Sequence, residues 1–131
     1  MRTYIATVLT VLLMIAGAQA EPTATAGIGL ANCGKLAADL KPELGFDHLP
    51  NALMYYWVQG YMSAANITTL ESDSEYIDLS KYDEKTILPA VKEFCTKNPD
   101  KKPISLIDAM LDKADKIKGE WKKGTIPWAA Q

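Results

Sequence analysis

Apolar residues recur at spacings of three and four along most of the chain, the period of helices that bury one face. The longest series runs from Asn51 to about Thr69, and one of its faces carries Leu53, Trp57, Gly60, Tyr61, Ala64 and Ala65. Small residues on this face would let another helix approach closely. No stretch of any length alternates between apolar and polar residues as a half-buried strand does. The pattern predicts an all-α protein, a small single-domain bundle of about four helices.

Capping residues place the first two helices. Asn32 is a good N-cap for a short helix that ends before Pro42, because proline does not continue a helix. Pro50 suits the first turn of the long helix, and either Asp47 or His48 precedes it as a cap. The aromatic residues inside the long helix are expected to lie in the core, where large rings contribute most to burial.

A third helix follows an acidic segment. Asp83 or Thr86 is its expected cap, with Pro89 in the first turn. The helix should end at Asn98-Pro99, because proline disfavours helical backbone in the residue before it.

The fourth helix is expected to reopen at Pro103, with Ser105 to Asp108 resembling a capping box. One apolar stripe then continues through Ile107, Met110 or Leu111, Ala114, Ile117 and Trp121. Gly124, Ile126 and Pro127 are expected to end this helix.

The segment from Glu71 to Glu84 is rich in carboxylates and poor in apolar residues, which predicts a solvated loop with some local turn structure. A calcium loop is the alternative, because Glu71, Asp73, Glu75 and Asp78 offer the hard oxygen ligands that calcium prefers. The segment lacks the spacing and the glycine of an EF-hand loop.

The first twenty residues have the three parts of a secretory signal peptide. A cation at Arg2 precedes an apolar run from Ile5 to Ala16, and Ala18-Gln19-Ala20 supplies the small residues of a cleavage site. A membrane-spanning helix would need about 20 apolar residues, more than this run offers. We therefore expect cleavage after Ala20 and an exported protein with no membrane span. Residues 21–30 read as a flexible lead-in, 31–124 as the folded domain and 125–131 as a frayed tail.

The chain has two cysteines, Cys33 and Cys95. An even pair in a small exported domain is most simply one disulfide. A reactive or metal-binding thiol is the alternative, but one histidine and no C-x-x-C spacing argue against zinc. A disulfide here would tie the first helix to the third and restrict the unfolded chain by about 4 kcal/mol.

Charge and motifs narrow the function classes. The formal net charge of −2 gives no support to a nucleic-acid partner. The chain has no phosphate-binding loop, dinucleotide fingerprint or metalloprotease motif, so no cofactor or metal is expected. His48, the only histidine, is expected to cap a helix or lie at the surface rather than act in catalysis. These observations argue against an enzyme.

The segment from Ile87 to Leu106 (ILPAVKEFCTKNPDKKPISL) resembles the HdeA/HdeB family of periplasmic acid-stress chaperones, and is closer to the HdeB branch. The resemblance extends from about Asn32 to Leu111 and is strongest around Cys95. Two features depart from it. The segment between the cysteines is longer than expected for HdeB. The run from Trp57 to Ala64 (WVQGYMSA) is more similar to broader HdeA-like relatives, some of them immunity proteins of type VI secretion.

The resemblance implies a periplasmic, disulfide-bonded helical protein, dimeric near neutral pH, that exposes apolar surface in acid and holds unfolding periplasmic proteins without ATP. The candidate client-binding face is formed by Leu53, Trp57, Tyr61, Ile107, Leu111 and Trp121. An immunity or other interaction protein that blocks a toxin is the alternative, with the acidic segment Glu71 to Glu84 as its contact.

Overall fold

The computed structural model describes residues 26–119. Its helices are α1 (Cys33–Asp39), α2 (Leu49–Asp73), α3 (Glu84–Lys97) and α4 (Ile104–Lys113), and its strands are β1 (Glu75–Ile77) and β2 (Lys116–Lys118). Short 3-10 segments lie at Ile28–Leu30, Pro42–Asp47 and Leu79–Lys81. The predicted small, mostly helical domain with four helices is confirmed. The expected signal peptide, its cleavage after Ala20, and the tail at 125–131 lie outside the described residues.

Side-chain caps begin two of the helices as expected. The Asn32 side chain accepts a hydrogen bond from the Lys35 N–H at 3.3 Å, at the start of α1. The Asp83 carboxylate accepts from the Thr86 N–H at 2.9 Å, so Asp83 and not Thr86 caps α3. Because α3 starts this early, Pro89 lies inside the helix rather than in its first turn.

The core lies where the four helices meet. α1 and α3 are joined by the predicted disulfide between Cys33 and Cys95, which are separated by 62 positions in the chain. Backbone hydrogen bonds reinforce this junction, because the Cys33 and Gly34 N–H groups donate to the carbonyls of Lys101 and Pro99. The buried apolar residues around it are Leu36, Leu40, Met54, Val58, Met62, Ile87, Leu88, Val91 and Ile107.

Helix α2 buries a different face from the one predicted. Met54, Val58 and Met62, at intervals of four, point into the core together with Asn51, whereas Leu53 is about half exposed. Apart from α2 itself, nothing lies within 4 Å of a side-chain carbon placed on Gly60, so no other helix packs closely there within the described residues. Both faces of α2 carry apolar residues, and periodicity alone could not distinguish them.

Three further expectations are wrong. The fourth helix ends at Lys113, because Ala114 adopts an extended backbone, and Ile117 belongs to β2 instead of a helical stripe. The acidic segment is partly regular structure, since α2 continues to Asp73 and β1 pairs antiparallel with β2, Tyr76 opposite Ile117. The capping box at Ser105 does not form, because Pro103 occupies the N-cap position without a side-chain cap.

The end of the expected flexible lead-in packs against α2. The indole N–H of Trp57 donates to the Ala26 carbonyl at 2.8 Å, and Gly29 is buried beneath the ring. A side-chain carbon on Gly29 would lie 2.0 Å from the Trp57 ring, so only glycine permits this approach. Gly27 has a φ of 104°, a backbone conformation that also favours glycine.

Candidate binding surface on helix α2

A patch of exposed apolar residues covers the first half of α2. Leu49 is 66% exposed, Leu53 51% and Tyr56 63%, and their spacing of four and three places them in one line. Phe46, in the preceding 3-10 segment, is also exposed and stacks on Tyr56 with ring centroids 5.5 Å apart. We call these four residues the apolar patch. Large exposed apolar patches on a folded domain are typical of interaction sites.

The aromatic rings of the patch support one another. Phe46 lies 5.1 Å from Tyr55 and Tyr55 lies 5.6 Å from Tyr56, measured between ring centroids. Tyr55 is half-buried and packs against the core, so it anchors the more exposed rings. Tyr55 and Tyr56 were expected in the core; the structure leaves Tyr56 mostly at the surface. Rings held in this way lose little side-chain entropy when they bind a partner.

A buried asparagine holds the 3-10 segment of Phe46 against α2. The Asn51 amide oxygen accepts from the Lys41 N–H at 3.0 Å, and its NH₂ group donates to the carbonyls of Lys41 and Gly45 at 2.6 and 2.8 Å. Asn51 is fully buried and all of these groups are paired. This network fixes the position of Phe46 beside the helix.

Carboxylates lie beside the apolar patch. Burial, followed by the negative charges of Asp83 and Glu84, raises the pKa of Tyr55. A side-chain carbon on Gly45 would lie 3.8 Å from the Glu84 carboxylate, which places that charge next to the 3-10 segment. The surroundings of the aromatic rings are therefore negatively charged at neutral pH.

A second aromatic pair lies further along α2. Trp57 and Tyr61 stack with centroids 5.2 Å apart, and the Tyr61 hydroxyl donates to the Asp108 carboxylate of α4 at 2.8 Å. This hydrogen bond, with burial and the charge of Asp108, raises the pKa of Tyr61. An open apolar groove of about 320 Å³ runs alongside, lined by Ala26, Tyr56, Trp57, Gly60 and Tyr61.

The residues predicted to bind clients are not one surface. Leu53 is exposed, whereas Trp57, Tyr61 and Leu111 are half-buried against the core. Ile107 is fully buried, and Trp121 lies outside the described residues. Sequence reasoning did not single out Phe46 and Leu49 for this surface. The sequence did contain a signal for this surface, because Leu49, Leu53 and Tyr56 follow one another at helical spacing. They lie on a different side of the helix from the buried line that begins at Asn51 and Met54.

His48 donates from Nε2 to the Asp39 carbonyl at 2.6 Å and links α1 to α2. Between residues 26 and 119, no group of three or more His, Cys, Asp or Glu side chains could hold a metal ion, so the calcium alternative gains no support there. Over the same residues, no helix has both the length and the hydropathy to cross a membrane.

Comparison with known proteins adds no relative. No family model matches the chain, and no curated protein or solved structure matches it either.

Proposed function

We propose that this protein is an exported, periplasmic holdase that binds unfolding proteins under acid stress. The observation that carries the proposal is the apolar patch, because a holdase needs apolar surface that its own fold does not cover. The disulfide between Cys33 and Cys95 fits an oxidising compartment. The resemblance around Cys95 supplies the acid-stress context.

Acid should enlarge the apolar surface by weakening the start of α3. The side chain and backbone N–H of Thr86 lower the pKa of Asp83, and Ser80 likewise lowers the pKa of Asp78 in the preceding turn. A carboxyl whose folded-state pKa is lowered stabilises the fold above its unfolded pKa of about 4. That stabilisation is lost as the pH falls through the lowered folded value.

The residues uncovered by such loosening are apolar. Ile87 and Leu88 are buried in the first two turns of α3, directly after the Asp83 cap. Cys95, near the other end of α3, stays attached to α1 through the disulfide. The chain has 16 carboxylates and 14 basic Lys and Arg residues, so acid also makes it strongly cationic. A cationic surface keeps complexes with clients dispersed.

Light scattering tests the proposal. A periplasmic protein that aggregates at about pH 3, where most unperturbed carboxyls are protonated, is acidified with and without this protein. We expect suppressed aggregation with the wild type. Leu53→Ser with Tyr56→Ser should suppress it less, whereas Ile117→Ser, equally apolar and 41% exposed on β2, should behave as wild type. Equal aggregation with and without the wild type would contradict the proposal.

An immunity or interaction protein remains the second candidate. β1 and the 3-10 turn after Asp78 hold the acidic segment in a fixed conformation. The exposed carboxylates of this segment can therefore contact a partner in a defined arrangement. A pull-down at neutral pH that recovers one stoichiometric partner, together with no effect on acid-induced aggregation, would favour this candidate.

A further inference from the structure

The exposed line of the apolar patch continues along most of α2. Its members, all exposed and alternating at spacings of four and three, are Leu49, Leu53, Tyr56, Gly60, Ser63 and Ile67. We call these six residues the outer line. This spacing is that of the seam through which one helix packs against another. The line spans about 27 Å at 1.5 Å per residue.

The outer line lacks the charges that usually cover a solvent-exposed helix. No charged residue occurs between Leu49 and Leu70, although α2 exposes one side over that whole stretch. Charged residues are depleted in the cores of protein interfaces, and aromatic residues such as Tyr are enriched. The composition of the outer line is therefore that of a surface covered by another chain.

The middle of the line is open to close approach. Apart from the adjoining residues and backbone of α2 itself, no atom lies within 4 Å of a side-chain carbon placed on Gly60, and Ser63 beyond it is small. The apolar groove beside Tyr56 and Gly60 adds room for one side chain of a partner. A helix can thus lie close to α2 at its centre, with large apolar contacts at Leu53 and Ile67.

Carboxylates flank both ends of the outer line. Asp47 precedes Leu49 by two residues, Glu71 follows Ile67 by one turn, and Asp73 ends the helix, all of them exposed. Lys118 of β2 lines an open pocket together with Asp73, so Asp47 and Glu71 contribute most of the negative charge at the two ends. Glu84 lies near the 3-10 segment that carries Phe46. Exposed aromatic rings beside carboxylates favour cationic groups.

We propose that the outer line binds one amphipathic helix of a different protein, about 18 residues long, whose apolar stripe is flanked by lysine or arginine at both ends. A second copy of this chain fits less well. Two antiparallel copies of α2 crossing at Gly60 would bring Asp47 of one near Asp73 of the other, and these like charges repel at neutral pH. This interaction goes beyond the acid-stress holdase and operates when the carboxylates are ionised.

Three synthetic helical peptides test the proposal at about pH 7, where carboxylates are ionised. The first carries a leucine stripe at spacings of four and three with lysines at both ends, the second has glutamates in place of the lysines, and the third keeps the lysines but scrambles the stripe. Calorimetry should show binding of the first at least about tenfold tighter than of either other peptide.

Variants locate the site. Leu53→Ser with Tyr56→Ser should weaken binding of the lysine peptide by about tenfold, while Ile117→Ser changes it by less than about twofold. Asp47→Asn with Glu71→Gln should weaken it by about threefold and flatten its salt dependence. Circular dichroism verifies that each variant is folded.

Several outcomes would overturn the proposal. Equal binding of the lysine and glutamate peptides removes the charge argument, and equal binding of the scrambled peptide removes the helix argument. A wild type that sediments as a dimer, and a Leu53→Ser, Tyr56→Ser variant that sediments as a monomer, would assign the outer line to a second copy. Failure of client protection in acid leaves these neutral-pH results unaffected, so the two proposals can fail separately.

Discussion

The two ends of this fold are held together by different chemistry. At one end, a disulfide joins α1 to α3, and side chains of His48, Asn51 and Lys92 donate to the carbonyls at the end of α1 and just beyond it. At the other end there is no disulfide, and β1 and the turns around it are held by hydrogen bonds, several of them to carboxylates, and by burial of Ile77. The first end should therefore resist denaturant and acid better than the second.

Both ends use an asparagine of α2 in the same way. Asn51 pairs with Lys41, and Asn66 accepts from the Ile77 N–H and donates to the Ile77 carbonyl, each at 2.8 Å. Each side-chain amide thus pairs with both the N–H and the carbonyl of one residue, as the backbone of a neighbouring strand would. The two asparagines lie about 22 Å apart along the helix, and they allow one long helix to position loops at both of its ends.

The largest expected effect is loss of the disulfide. Cys33→Ser with Cys95→Ser frees the 62-residue connection in the unfolded chain and should lower the free energy of unfolding by about 4 kcal/mol. Urea titration followed by circular dichroism measures it. Reduction of the wild type is the control and should match the double variant. An unchanged midpoint would show that the covalent end is not the stronger one.

Asn51→Ala should have the next largest effect on stability. It leaves the Lys41 N–H and the carbonyls of Lys41 and Gly45 unpaired at a buried site, at a cost of about 3 kcal/mol. Urea unfolding measures the loss. Exposed Ser63→Ala on the same helix is the matched control and should change stability little.

Asn66→Ala repeats the test at the hydrogen-bonded end. Because Asn66 is only half-buried and water can replace part of its pairing, we expect a loss of about 2 kcal/mol. Amide exchange should accelerate at Ile77 while Cys33 stays protected. Faster exchange at both sites would mean that the two ends open together.

Asp83→Asn should have the smallest effect at neutral pH, because asparagine also caps helices well. Its consequence appears in acid. The wild type loses the contribution of the Asp83 carboxylate as the pH falls through its lowered pKa, whereas asparagine does not titrate. Thermal unfolding at several pH values should give a flatter stability profile for the variant below about pH 4. Glu71→Gln, which removes a carboxylate from α2 instead, is the control.

Local signals in the sequence predicted where most helices begin and end. Asn32, Pro50, Asp83 and Asn98-Pro99 act on the backbone next to them, so their effect does not depend on the rest of the fold. The pairing of the disulfide was predictable because the chain has only two cysteines. None of this required knowledge of packing.

Features that depend on distant contacts were not predictable in the same way. Apolar residues on both faces of α2 concealed which line enters the core, and two methionines in that line gave a weak signal. The helical period through Ile117 continued past the end of α4, because the pairing of β2 with β1 joins segments about 40 residues apart. Of the four residues of the apolar patch, only Leu53 therefore belonged to the predicted client-binding face.

The position of the disulfide also affects the outcome of proteolysis. Cys33 and Cys95 enclose the whole of α2 and β1, including the exposed residues between Glu71 and Ser74. A protease that cuts the chain once there leaves two pieces that remain covalently joined. In electrophoresis, the nicked molecule would migrate as one species until a reductant is added. Because its two pieces stay linked, they can re-form the core together.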